Sequence, residues 1–111
     1  MFIGTTLREQ TYNLGPVGQI PIGEGRTFQV GALALAVFRL RTGDLFATQA
    51  TCPHKGGPLA DGIVDAGKVI CPLHAYKFEL ATGQPVGNDC SALKTYPVCL
   101  TEDGELLLKL D

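Results

Sequence analysis

Three features of this chain predict an all-β fold, a sandwich or a barrel, carrying a small inserted subdomain. Short apolar runs alternate with Gly, Pro, Asn and Asp turns, no stretch reads as a long amphipathic helix, and 14 of the 111 residues are glycine. The first run, residues 10–14, ends where residues 15–25 gather two prolines and four glycines and read as a loop. Residues 26–30 form the next strand. Residues 32–41 follow and hold the longest apolar stretch of the chain, 32–38. Arg41-Thr42-Gly43-Asp44, with a glycine available for positive φ, turns the chain back into residues 45–50. Two short strands at 63–65 and 68–70 are joined at Ala66-Gly67, and 77–80 follows. In residues 94–101, Cys99 alternates with Val98 and Leu100, which turns it away from the core. Thr101-Glu102-Asp103-Gly104 is a second hairpin turn, into 105–110. One domain, 1–111, is expected: a scaffold of about 1–50 and 85–111, interrupted by an insert of about 51–84.

Composition excludes several classes of partner. Hydrophobic content is 45% and charged content 18%, which is globular rather than disordered. Net charge is −2 and no Lys/Arg run occurs, so neither nucleic acid nor an anionic membrane is an expected partner. The longest apolar stretch is far too short to span a bilayer. The terminus Met-Phe-Ile-Gly-Thr-Thr has no basic region followed by a hydrophobic one, so no signal peptide is expected and the localisation reads as cytoplasmic. No nucleotide loop, nucleophile elbow or paired carboxylates stand out, so the chain has no evident catalytic residues of its own.

The chemistry lies in the insert. Cys52-Pro-His54 is followed, sixteen residues later, by Cys71-Pro-Leu-His74, and both histidines of the chain fall inside these motifs. Two thiolates and two imidazoles from two loops suit a [2Fe–2S] centre in which one iron takes two Cys and the other two His. Each motif then supplies one ligand to each iron, and the loops must face each other. A Cys₂His₂ zinc site is the competing reading, but structural zinc motifs usually pair Cys with Cys and His with His. A Cys52–Cys71 disulfide would leave the two histidines unexplained. Of the remaining cysteines, Cys90 in a turn and Cys99 on a strand read as free thiols of a reducing compartment, with a Cys90–Cys99 bridge left open.

At these motifs the chain resembles the Rieske family, and the resemblance implies a Rieske-type antiparallel β-sandwich with a cluster-binding insert. It implies a cluster held by Cys52, His54, Cys71 and His74. Two neutral His in place of two Cys make the centre less negative, which is why Rieske potentials run roughly −150 to +300 mV against about −400 mV for plant-type ferredoxins. In high-potential respiratory members a disulfide links the two loops, and a Ser and a Tyr donate hydroxyl hydrogen bonds to cluster sulfurs. Motif alignment places the disulfide positions at Gly57 and Leu73 and the hydroxyl positions at Tyr76 and Phe78. The disulfide cannot form, and Phe78 has no hydroxyl, so a low-potential centre is expected. Pro53 and Pro72 stiffen the loops, Gly56-Gly57-Pro58 lets the first turn sharply, and Lys55 reads as a solvated charge beside the histidine edge. Each ligand ring would keep a second nitrogen able to lose a proton. Oxidation favours that loss, so the potential is expected to fall as pH rises above neutrality, which voltammetry across pH checks.

Within the family, Cys52-Pro-His-Lys-Gly-Gly-Pro-Leu-Ala-Asp-Gly-Ile-Val64 with Cys71-Pro-Leu-His74 looks like the small subunit of assimilatory NAD(P)H nitrite reductase, in which sixteen residues between His54 and Cys71 fit. That likeness implies a larger redox partner bearing flavin, an iron–sulfur cluster and sirohaem. Ferredoxins of aromatic-ring-hydroxylating dioxygenases, which commonly have one more residue there, are the alternative. A structural metal module or redox sensor is the alternative of another class.

Overall fold

The computed structural model describes residues 10–53, 56–73 and 75–110. Among the described residues eleven strands run in the order β1 (Gln10–Pro16), β2 (Glu24–Val30), β3 (Leu33–Arg39), β4 (Leu45–Gln49), β5 (Ile63–Asp65), β6 (Lys68–Ile70), β7 (Lys77–Glu79), β8 (Pro85–Val86), β9 (Thr95–Tyr96), β10 (Val98–Leu100) and β11 (Glu105–Leu110). Single 3₁₀ turns lie at Val17–Gln19 and Leu59–Asp61. The strands form three antiparallel sheets, ordered β1-β11-β10, β2-β3-β4-β9 and β5-β6-β7-β8.

The apolar run in β3 explains how these sheets stack. Successive strand residues point to opposite faces, so an unbroken buried run means both faces are covered. Leu35 and Val37 enter a core with Ile20, Ala47, Leu106 and Leu108, against the β1-β11-β10 sheet. Ala36 and Phe38 enter the other core with Leu59, Val69, Phe78, Leu80, Leu93 and both Cys52 and Cys71. The sheet containing β3 is thus the middle layer, and the two cysteines belong to the core on its far side.

The structure differs from the sequence expectation in four places. First, β1 runs on through Gly15 to Pro16, because Asn13 Oδ1 accepts from the Gly15 N–H at 2.7 Å and a bulge at Asn13/Gly15 (Gly15 φ 96°) absorbs what reads as loop. Second, β2 begins at Glu24, inside the same expected loop. Third, residues 94–101 are two strands, not one. Pro97 sits between them, and the chain changes partner there: β9 pairs with β4 and β10 with β11. Fourth, the short β8 pairs with β7 and carries the third sheet to Val86, past residue 84.

The hairpin turns match their expected residues. Ala66 and Gly67 both have positive φ, 51° and 77°, the requirement of a two-residue primed turn between β5 and β6. Gly43 (φ 94°) and Gly104 (φ 79°) take the left-handed positions of the other two.

Candidate metal centre

Cys52 follows β4 and opens a loop closed on itself. Its N–H donates to Gly57 O at 2.8 Å, its carbonyl accepts from the Gly56 N–H at 2.7 Å, and Thr51 bridges to Pro58. Gly56, at φ 74°, makes the sharp turn. Cys71 follows β6 and opens the second loop, where its N–H donates to Tyr76 O at 2.7 Å. In both loops the cysteine N–H is tied to the carbonyl of the fifth residue after it. The second loop also holds Ala75 at φ 56°, a conformation that costs a non-glycine residue about 1–2 kcal/mol. The Cys71 N–H to Tyr76 carbonyl bond closes the loop around it.

The loops bring the two sulfurs together at the floor of the site. Cys52 is 2% exposed and Cys71 1%, and their thiols interact directly. Burial pushes the Cys71 thiol up from its ordinary range. The N–H of Leu73, which donates to the Cys71 sulfur, works against that rise, and neighbouring Cys52 adds to it. Two buried thiols side by side resist becoming thiolates unless a cation lies between them. One iron with two thiolate ligands meets that requirement, so the pair fits the two-Cys half of the cluster. His54, Lys55 and His74 lie outside the described residues.

Around the sulfurs, Phe78 is fully buried in the same core and offers no hydroxyl, while Tyr76 is half-buried and packs against it. Positions 57 and 73 do face each other: a β-carbon on Gly57 would stand 3.0 Å from Leu73 Cγ and Cδ1. Cys90 and Cys99 are free thiols, and Cys99 is exposed as expected, although Leu100 beside it is exposed too, so burial does not alternate along β10. Cys90 is unexpected here. Its N–H donates to Asn88 Oδ1 at 2.9 Å, its side chain packs on the core holding Cys52 and Cys71, and it interacts electrostatically with both. Burial raises its thiol above the ordinary value, with the charges at Cys52 and Asp89 adding to the effect. Among the described residues it does not converge with Cys52 and Cys71 closely enough to be a third ligand. No spacing in the sequence ties Cys90 to the motifs.

The sequence profile of the Rieske [2Fe–2S] domain matches residues 10–97. The chain belongs to the Rieske family. A Rieske domain carries a Rieske-type [2Fe–2S] cluster, and its role is electron transfer. Among relatives, this Rieske chain is 37% identical over 73 residues to the ferredoxin component of a 2,4-dinitrotoluene dioxygenase system from Burkholderia sp. (strain RASC), covering 62% of this chain and 66%, just under two thirds, of that protein. It is 30% identical over 96 residues to the ferredoxin component of the naphthalene 1,2-dioxygenase/salicylate 5-hydroxylase systems of Ralstonia sp., covering 83% and 88%. Among solved structures, the Sphingomonas yanoikuyae B1 ferredoxin superposes with a TM-score of 0.79 at 32% identity, covering 92% of this chain and all of that one. A candidate NADH-dependent nitrite reductase small subunit from Mycobacterium tuberculosis superposes at 0.85 and 21% identity, covering 94% and 97%, a likeness of fold. No helix among the described residues is long and apolar enough to cross a membrane.

Proposed function

We propose that Cys52, His54, Cys71 and His74 hold the cluster, thiolates on one iron and imidazoles on the other, within a cluster-binding unit of residues 51–84. The centre is of low potential, and the chain serves in the cytoplasm as the small subunit of an assimilatory NAD(P)H nitrite reductase. When bound, the cluster exchanges one electron at a time. The chain's own residues do the rest. Cys52 and Cys71, buried in the core, set the thiolate pair away from solvent. Phe78 supplies packing with no donor, and Leu73 occupies the space beside Gly57 where a disulfide would lie. Both choices leave added negative charge less stabilised, which favours a low potential.

The observation that carries the nitrite reductase reading is the loop sequence, Cys52 to Val64 with Cys71 to His74 and sixteen residues between His54 and Cys71. The partner is a large subunit bearing sirohaem and flavin. A second reading, a ferredoxin feeding a ring-hydroxylating oxygenase, is favoured by 37% and 30% identity to ferredoxin components of dioxygenase systems. The deciding assay is NAD(P)H oxidation with nitrite by an assimilatory nitrite reductase large subunit from the same organism, with and without this chain. Turnover that depends on the chain, and that falls roughly tenfold with Lys55→Glu at unchanged iron content, is the expected result, since a charge next in sequence to ligand His54 bears on partner docking and not on ligation. Turnover indifferent to the chain, with electrons accepted by an oxygenase, would replace the first reading by the second.

A further inference from the structure

Leu73 stands at an unusual place for a large apolar side chain. It is 42% exposed, yet it lies over buried Gly57, where an added β-carbon would meet Leu73 Cγ and Cδ1 at 3.0 Å and the Cys71 sulfur at 3.3 Å. The Leu73 side chain and the Cys71 sulfur therefore border the same small space. The backbone N–H of Leu73 already donates to that sulfur. One residue thus gives the sulfur a fixed donor and fills the room through which water would approach. Gly57 makes this possible, since any side chain there would push Leu73 aside.

We propose that Leu73 is a positioning residue of the redox centre: its side chain, seated on Gly57, keeps water from the Cys71 sulfur and thereby holds the reduction potential down. This rests on Cys71 being a cluster ligand, as proposed above. Reduction adds negative charge to the centre, and part of that charge falls on the ligand sulfurs. Water donating hydrogen bonds there would stabilise the reduced state, whereas an apolar cover withholds that solvation. The backbone donor is kept by every residue except proline at this position, so side-chain substitution separates solvation from the fixed hydrogen bond.

The test compares Leu73→Ser and Leu73→Met with the parent in the full, cluster-loaded chain. Leu73→Ser is expected to ease reduction about tenfold, which is about 59 mV for a one-electron couple. Leu73→Met, which keeps the apolar cover, should titrate with the parent. Pulsed electron paramagnetic resonance of the reduced protein in heavy water should show a larger deuterium coupling in Leu73→Ser. A Leu73→Ser protein that titrates at or below the parent potential, or whose deuterium coupling is unchanged, overturns the proposal. If Leu73→Ser does not retain iron, Leu73→Ala is read by the same two criteria. Failure of the ligand assignment shows separately, as a parent chain without two irons, two sulfides and a rhombic signal.

Discussion

Cys52→Ser and Cys71→Ser are each expected to strip the chain of its cluster and to lower electron delivery more than about 100-fold, beyond the roughly 10–100-fold that loss of an outer-shell partner costs. Cysteine thiols suit iron–sulfur chemistry because their sulfur is soft and the metal readily deprotonates them to thiolates. A serine oxygen is harder, and at these positions, 2% and 1% exposed, it would also bring a hydroxyl into an apolar core. Neither Cys90 nor Cys99 can take over. Cys99 is exposed on β10, and Cys90, though close, does not converge on the pair. Iron and acid-labile sulfide per chain, with the rhombic signal of the reduced protein, check the result. Cys90→Ser and Cys99→Ser should keep both irons. A Cys52→Ser or Cys71→Ser chain with a full complement of iron and sulfide would refute the assignment of that residue.

Gly83→Ala is expected to cost about 3–5 kcal/mol of unfolding free energy, a large part of the roughly 5–15 kcal/mol a domain possesses. Gly83 is buried at φ 81°, where a side chain alone costs about 1–2 kcal/mol. The larger cost is steric. A β-carbon at Gly83 would run into the backbone of Leu93, chiefly its carbonyl oxygen. Gly83 also donates to Glu79 O and accepts from the Leu93 N–H, both at 2.7 Å, so it ties the turn after β7 to the segment that inserts Leu93 into the core around the cysteines. Displacing Leu93 loosens the floor of the site, and weaker iron retention should accompany the lower stability. Gly67→Ala is the control: Gly67 has φ 77° but nothing within 4 Å of an added β-carbon, so it should lose only the conformational cost. Denaturant unfolding of both variants measures the difference. Equal losses would mean that the collision with Leu93 relaxes without cost.

Much of the architecture is legible one residue at a time because it depends on local rules. Ala66-Gly67, Gly43 and Gly104 mark turns through the φ values they must adopt. Cys99 lies on the outside as the strand pattern predicts, but Leu100 does so too, against that same pattern. The run 32–38 signals a strand, but its unbroken character means burial on both faces, and that follows only from the third sheet packed against β3. Pro97 hides a change of sheet inside one apolar run, since a break in pairing leaves no mark in hydrophobicity. Asn13 and Gly15 extend a strand through a bulge that composition alone reads as a loop.

The candidate site divides in the same way. Spacing within Cys52-Pro-His54 and Cys71-Pro-Leu-His74 is set by coordination chemistry, so the family and its cofactor were readable from short stretches of sequence. The resemblance to respiratory family members pairs Gly57 with Leu73, but only the structure shows that Leu73 lies on Gly57 beside the Cys71 sulfur. Cys90, remote in sequence and without a spacing signature, reads as an unrelated thiol, and only the packing of its segment brings it onto the core that holds Cys52 and Cys71. The Cys/His pattern and its spacing are local and covalent, and sequence by itself determined them. Which side chains surround the sulfurs depends on the register of β5 to β8 and on the layer beneath, contacts between distant segments that only the tertiary structure decided.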